Sequence, residues 1–443
     1  MVMFGCHTGP FPMGSGSCRF PILPMKSPRV KRSISPTLAP ILVGMSVEIR
    51  TLSTPDEVRS ALSAFFRSMV GLPAWDVDAT AITEPGRFIG AVDDGVVVGG
   101  ADAYTSRLVV PGGAHVPHAA VTHIGVLPTH RRQGVLRRLI AAQFDDFARR
   151  GEIVATLRAS EAVIYEQFGY GVASSARSVR VDLRRARLRP TLPDRGQVRL
   201  VDGAVTTDLL SEIADRVDST GTIIRPDGWW ELQRIRRASD SASVYVAVHS
   251  ANGVDDGYVV YRPEDPEHWF GSRSRTVTVS DFVAVDDDAR AGLWRHLLSL
   301  DLVDVVAVDA VALDDPIALA VGDRRAVDLG PEHDETWLRL VDVEAALAAR
   351  TYAEEDPVVV AVDDPQLPTN SGVYEIGPKS VRRVSANPDV TVGVAALGAT
   401  YLGGTRWRNL AAVGQVVEHR VDAVRRLDVL FGAHRLPFSG IVF

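Results

Sequence analysis

From Val121 to Leu139 the chain reads Val-Thr-His-Ile-Gly-Val-Leu-Pro-Thr-His-Arg-Arg-Gln-Gly-Val-Leu-Arg-Arg-Leu. The residue types that can do chemistry here are the arginines Arg131, Arg132, Arg137 and Arg138, with Gly134 among them. An apolar, β-favouring run, Val121 to Leu127, comes before them. Pro128-Thr129-His130 turns the chain into a helix whose first turn is expected to hold Arg131, Arg132, Gln133 and Gly134, and apolar residues follow at helical spacing: Leu136, Leu139, Ile140, Phe144 and Phe147. A strand that ends in a basic, glycine-bearing turn and opens a helix can hold an anion. The first N–H groups of the helix have no partners within it, and the helix dipole favours negative charge there. Gly134 would let a phosphate approach the backbone, and the arginines would add charge-assisted hydrogen bonds. On these features alone the stretch fits equally an ordinary strand–turn–helix with a solvated basic face.

Histidines 115, 118, 123 and 130 cluster in the same region. Their spacing forms no tight helix-borne pair and no cysteine joins them, so no metal site is expected. Alternate positions of the strand would put His123 towards a pocket. The two cysteines, Cys6 and Cys18, lie near the N-terminus, which leaves the body without a disulfide framework or a thiolate metal site. A reduced, cytoplasmic protein is expected. The net charge of −7 argues against a nucleic-acid surface. No apolar run reaches the length of about 18 residues that a membrane span needs.

At 443 residues the chain suggests two or three domains. Residues 1–44 are rich in Gly, Pro, Ser and Met and have no periodicity. They read as a disordered extension or as a start assigned too early, with Met45 the true beginning, and they lack a convincing signal peptide. Residues 45–188 suggest the order β–α–β–β–β–α–β, followed by a short helix from Ser160 to Gln167 and one more strand. Strands are expected at Val47–Leu52, Arg87–Ala91, Val96–Ala103, Val121–Leu127, Glu152–Leu157 and Ser178–Leu183, with helices at Pro55–Met69 and from Arg131. Residues 189–329 repeat that plan, which points to an internal duplication. In the repeat, however, Asp286-Asp287-Asp288 stand where the first unit has arginines, and they would repel a pyrophosphate. Residues 330–443 form a third unit that opens with a strand at Thr336-Trp-Leu-Arg-Leu-Val341.

Arg131-x-x-Gly134-x-Leu136 resembles the coenzyme A pyrophosphate loop of the GNAT acetyltransferases, with Leu136 replacing the usual small residue. Together with its Pro128-Thr-His-Arg-Arg-x-Gly-x-Leu-Arg137 context, the run is similar to the Eis (enhanced intracellular survival) N-acetyltransferases of actinobacteria. Ile164-Tyr-Glu-Gln-Phe-Gly-Tyr170 resembles the GNAT tyrosine motif, and Phe438-Ser-Gly-Ile-Val-Phe443 resembles the aromatic chain ending of the Eis family. The resemblance covers about residues 46–443.

The resemblance implies an α/β (α+β) protein: two tandem GNAT domains, the second without a cofactor site, and a sterol-carrier-like C-terminal domain. It implies acetyl transfer from acetyl-CoA to a primary amine, such as an aminoglycoside, a lysine or a polyamine. Ile124, Gly125 and Val126 would contact the acyl arm through their backbone. Arg132, Gln133, Gly134, Val135, Leu136 and Arg137 would wrap the pyrophosphate, and Ser160 and Glu161 would add further cofactor contacts. Tyr165 would protonate the departing thiolate, while Tyr170 would serve packing. The main-chain carboxylate of Phe443 would accept the proton of the amine. Trp75, Asp76 and Asp78 could attract a cationic amine or form a solvated loop. Aminoglycoside-acetylating members commonly carry an acid just before the terminal Phe, where this chain has Val442. A homohexamer, a trimer of dimers, is implied. A non-catalytic acyl-CoA sensor and a lipid-binding protein are the competing classes.

Overall fold

The computed structural model describes residues 47–69, 72, 78–201, 206–239 and 243–442. The expectations for residues 1–44 and the Met45 start, and for Trp75, Asp76 and Phe443, fall outside the described residues.

The first unit contains β1 (Glu48–Thr51), α1 (Pro55–Ser68), β2 (Ile89–Asp93), β3 (Val96–Val109), β4 (His115–Val126), α2 (Val135–Arg150), β5 (Val154–Leu157), α3 (Ala162–Tyr165) and β6 (Gly171–Asp182). Local chemistry sets the boundaries of these elements. Thr54 and Glu57 close a capping box at the start of α1, where Pro55 supplies the first helical residue. Asp94 and Gly95 both take positive φ in the hairpin turn between β2 and β3, as expected of a tight hairpin. On α2 the buried residues Leu139, Ile140, Phe144 and Phe147 form one face against the sheet. Burial of side chains of this size stabilises by about 1.5–3 kcal/mol each. Three strands run longer than the sequence suggests. β3 continues to Val109, β4 begins at His115 and β6 begins at Gly171, because pairing with neighbouring strands carries them past their most apolar segments.

The second unit contains β7 (Gln197–Val201), α4 (Thr206–Ala214), α5 (Asp227–Ser239), β8 (Tyr245–Ala251), β9 (Val254–Pro263), β10 (Thr276–Ala284), α6 (Asp287–Leu298), β11 (Val305–Ala312), α7 (Ile317–Ala320) and β12 (Val327–Leu340). All twelve strands join one sheet in the order β1-β2-β3-β4-β5-β12-β6-β11-β10-β9-β8-β7. Each unit gives its sixth strand to its neighbour: β12 lies between β5 and β6, and β6 pairs with β11. The strand expected at Thr336–Val341 forms, but as the end of β12 within this sheet. The sheet therefore runs through Gly330, where the sequence suggested that the third unit begins.

The third unit contains α8 (Val343–Ala349), β13 (Val358–Asp363), β14 (Gly372–Ile376), β15 (Val381–Arg383), β16 (Val390–Gly393), α9 (Val394–Tyr401), α10 (Trp407–Ala412), β17 (Val416–Glu418) and α11 (Ala423–Leu430). Its sheet has the order β15-β14-β13-β16-β17. It is fastened to the large sheet by a fully buried ion pair. Arg339 Nη2 on β12 lies 2.7 Å from both carboxylate oxygens of Asp364. Thr405 Oγ1 also donates to the Val172 carbonyl of β6 at 3.1 Å.

Candidate active site

In the first unit β4 and β5 pair in parallel only from His118–Ala120 against Val154–Thr156. β4 then continues to Val126, while β5 ends at Leu157 and turns its other edge to β12. The two strands therefore splay, and a wedge opens between their C-terminal ends. Ligand sites of open α/β sheets lie at such ends.

A register shift between β3 and β4 sits beside the wedge. Gly100 faces Gly125 and Asp102 faces Thr122, so His123 and Ile124 together oppose Ala101. His123 takes φ +47° there, an uncommon conformation for a non-glycine residue that bulges favour near functional sites. Its Nδ1 lies 3.2 Å from the fully buried Asp102 carboxylate, and its ring meets Phe65 edge-on at 5.4 Å. Burial pushes the Asp102 carboxyl above the usual carboxylate range, and the His123 hydrogen bond opposes that shift. Gly125 carries no side chain for a steric reason. A Cβ there would lie 2.8 Å from Phe65 Cα and 2.5 Å from Ser68 Oγ, where α1 crosses the strand.

The basic turn follows. Pro128–His130 form one 3-10 turn, Arg132 takes φ +61°, and Gly134 caps α2 at φ +78°, so Arg131–Gly134 precede the helix and do not form its first turn as the sequence suggested, because positive φ is not helical. No atom would meet a Cβ on Gly134, so its glycine identity serves the left-handed turn and not packing. Arg132, Gln133, Gly134 and Arg137 are exposed. Val135 is buried and Leu136 half-buried, so their side chains point into the core. Arg131 is fastened elsewhere, donating from Nη2 to the Ser68 carbonyl at the end of α1 at 2.9 Å. Gln133 donates to the Thr129 carbonyl at 3.3 Å.

Ser160 and Glu161 are exposed at the start of α3. Tyr165, at its end, is 7% exposed. Burial, with the Glu161 carboxylate adding to it, pushes the Tyr165 hydroxyl up to about 12. Tyr165 shares an apolar cluster with Ile124 and Leu136, so the bulge, the first turn of α2 and the tyrosine meet. Tyr170 packs against Tyr165 and Phe144 and is fully buried, with no partner for its hydroxyl among the described residues. Asp78 is used locally: its carboxylate accepts from the Thr80 N–H at 3.0 Å. Among the described residues no cluster of His, Cys, Asp or Glu could hold a metal.

The tail is held at several points. Ile441 is buried, and its carbonyl accepts from Arg158 Nε at 3.0 Å. Glu335 on β12 accepts from the Gly440 N–H at 2.9 Å and from Arg158 Nη2 at 2.8 Å. Trp229 Nε1 donates to the Val442 carbonyl at 2.7 Å. The segment before Phe443 thus spans both units of the large sheet. These holders were missed in the sequence, since Arg158 and Ile441 are 283 positions apart and no local pattern links them. Asp102 was also missed, although a carboxylate inside the apolar run Val96–Ala103 is itself a signal.

Comparison with known proteins assigns each unit to a family. Residues 52–173 and 221–340 each match a family described as acetyltransferase (GNAT) domain, and residues 343–440 match a sterol carrier protein domain. Two tandem GNAT units with a C-terminal sterol-carrier-like domain define an N-acetyltransferase. An uncharacterized N-acetyltransferase of Streptomyces griseus is 33% identical over 422 residues, covering 90% of this chain and all of the relative. The N-acetyltransferase Eis of Mycobacterium tuberculosis is 30% identical over 388 residues, covering 84% of this chain and 92% of its own. The crystal structure of Eis1 from Mycobacterium abscessus superposes with a TM-score of 0.85 at 49% identity, covering 89% of this chain and all of that one. The chain belongs to the Eis family of GNAT N-acetyltransferases. Among the described residues no helix is long and apolar enough to cross a membrane.

Proposed function

We propose that the first unit transfers the acetyl group of acetyl-CoA to a primary amine of an aminoglycoside, a lysine or a polyamine. The observation that carries this reading is the splay of β4 from β5, with the basic Gly134 turn at its mouth and Tyr165 in the cluster beneath. Exposed Arg132 and Arg137 and the free N–H groups of α2 suit a pyrophosphate. The strand edge at Ile124–Val126 suits the amide-bearing arm, and Ser160 and Glu161 border the same side. The amine nitrogen attacks the thioester carbonyl, the C–S bond breaks, the thiolate takes a proton from the Tyr165 hydroxyl, and the proton that the nitrogen sheds as the amide forms restores the phenol. A phenol raised to about 12 is protonated at neutral pH, as a donor must be.

An alkylammonium has a pKa of about 10 and must shed a proton before it attacks. The Phe443 carboxylate is the proposed acceptor, and the anchoring of Gly440, Ile441 and Val442 supports a fixed chain end. We read His123, hydrogen-bonded to Asp102, as facing the amine substrate. The division of the chain at about 188, with a second unit that binds no coenzyme A, belongs to the same reading. So do a cytoplasmic location and assembly as a homohexamer, a trimer of dimers, which light scattering would test.

The deciding assay is coenzyme A release, followed with a thiol reagent across aminoglycosides, polyamines, lysine peptides and arylalkylamines. Amine-dependent release is expected. Acetyl-CoA binding without release would favour a sensor, and neither binding nor release would favour a lipid-binding role for the third unit.

A further inference from the structure

The second unit repeats the splay: β10 and β11 pair in parallel only from Thr276–Val279 against Val305–Val308. Its turn, however, would offer a phosphate three aspartates, and Asp286 already caps α6 by accepting the Ala289 N–H at 2.8 Å. What this unit does hold is the end of the chain.

Two of its side chains grip the tail. Glu335 lies on β12, the strand that this unit inserts between β5 and β6, and its side chain is fully buried. Its carboxylate accepts from the Gly440 N–H at 2.9 Å, the Ser439 hydroxyl at 3.0 Å, the Ser174 hydroxyl of β6 at 2.6 Å and Arg158 Nη2 at 2.8 Å. Arg158 directly follows β5, one of the two strands that bound the first wedge, and its Nε donates to the Ile441 carbonyl at 3.0 Å. Trp229, on α5, donates from Nε1 to the Val442 carbonyl at 2.7 Å. Its ring is fixed in turn: the Arg225 guanidinium lies 4.6 Å from the ring centre and pairs with Asp281 of β10 at 2.6 Å.

Burial of Ile441 would by itself dock an apolar tail. Here the backbone is also fixed at Gly440, Ile441 and Val442 in succession, by a buried carboxylate whose desolvation these partners offset. One residue remains beyond the last held carbonyl, a reach of about 3.5 Å.

We propose that Glu335 and Trp229 are positioning residues for acetyl transfer in the first unit, holding the chain-terminal carboxylate at the splay of β4 from β5. The proposal rests on the reading of the Phe443 carboxylate as proton acceptor. It gives the second unit, which binds no coenzyme A in that reading, a part in the reaction. A reacting group misplaced by about 1 Å can cost about 10²-fold in rate.

The test uses the full chain and three measurements: kcat with the fastest amine of the panel above, the Kd for acetyl-CoA by calorimetry, and release of Phe443 by carboxypeptidase A, which removes C-terminal aromatic residues. Trp229→Phe, which keeps a ring and removes one hydrogen bond, should lower kcat about tenfold. Glu335→Ala, which removes the whole set at Ser439 and Gly440, should lower it by up to about 10²-fold. Both should speed Phe443 release about tenfold and leave the Kd for acetyl-CoA within about twofold, a split that general loosening of the fold would not give. Trp229→Phe keeps the test decisive if Glu335→Ala does not fold. A chain extended beyond Phe443 separates this proposal from the reading beneath it. If that chain is inactive while Trp229→Phe and Glu335→Ala keep wild-type kcat, the positioning role alone is overturned. Faster Phe443 release with unchanged kcat would overturn it in the same way. A fully active extended chain would instead remove the acceptor role, and the positioning role with it.

Discussion

The helix after the splayed strand is entered through Arg131, Arg132, Gln133 and Gly134 in the first unit and through Asp286, Asp287 and Asp288 in the second. The surrounding architecture is shared: a parallel pair that parts after three or four residues, a helix N-terminus at the mouth, and an exchanged sixth strand on the far side. In the first unit Gly134 caps the helix with no side chain, so the first amides of α2 stay open. In the second, Asp286 supplies its own cap and its neighbours carry the wrong charge for a phosphate. The comparison teaches that the fold supplies the wedge, while a single turn decides the charge of the ligand it accepts.

The largest expected effects lie in the first unit alone. Tyr165→Phe should lower kcat by about 10²–10⁴-fold with acetyl-CoA affinity unchanged, the span expected for loss of a general acid. Wild-type turnover in that variant would remove the proton-donor role. Residues added beyond Phe443 should abolish turnover and spare cofactor binding, and a fully active extended chain would contradict the carboxylate role. Next in size, Arg132→Ala and Arg137→Ala should each raise the Kd for acetyl-CoA by about tenfold or more, as loss of a charge-assisted hydrogen bond implies. Asp287→Ala in the second unit should leave that Kd unchanged.

A smaller effect separates the two parallel junctions by pH. His118 in β4 is fully buried against Thr156 of β5, and burial pulls its imidazole down to about 3. The folded chain keeps His118 neutral, whereas the unfolded chain protonates it below about 6.5. Its contribution is therefore present above 6.5 and is lost as pH falls towards 3, by on the order of 2 kcal/mol at pH 5. The corresponding stretch of β10, Thr276–Val279, has no histidine. Hydrogen exchange at pH 5 should loosen β4 and β5 before β10 and β11. His118→Gln, which keeps a neutral partner for Thr156, should narrow that gap. Equal loosening of both junctions would break the distinction.

The sequence revealed the first cleft because its chemistry is contiguous. Strand, turn, Gly134 and helix fall within nineteen residues, Val121 to Leu139, and the repeat of that plan exposed the second unit. It also showed that Asp286–Asp288 differ in kind from Arg131 and Arg132. Features that depend on distant partners were not legible. The exchange of β6 and β12 needs both units in place, so Thr336–Val341 was assigned to the third unit. The bulge that turns His123 onto Asp102 arises from a register shift, which periodicity does not record. The anchors Arg158, Glu335 and Trp229 gather around the tail from three separate regions. The second splay was read only as lacking a phosphate site, since the pairing of Asp287 depends on Arg435 arriving from 148 positions away.

Calorimetric titration of the full chain with acetyl-CoA, alongside the Arg132→Ala and Asp287→Ala variants, tests the contrast most directly. One site per chain is expected, weakened by Arg132→Ala and untouched by Asp287→Ala. Two sites per chain, or a single site that answers to Asp287 and not to Arg132, would contradict it.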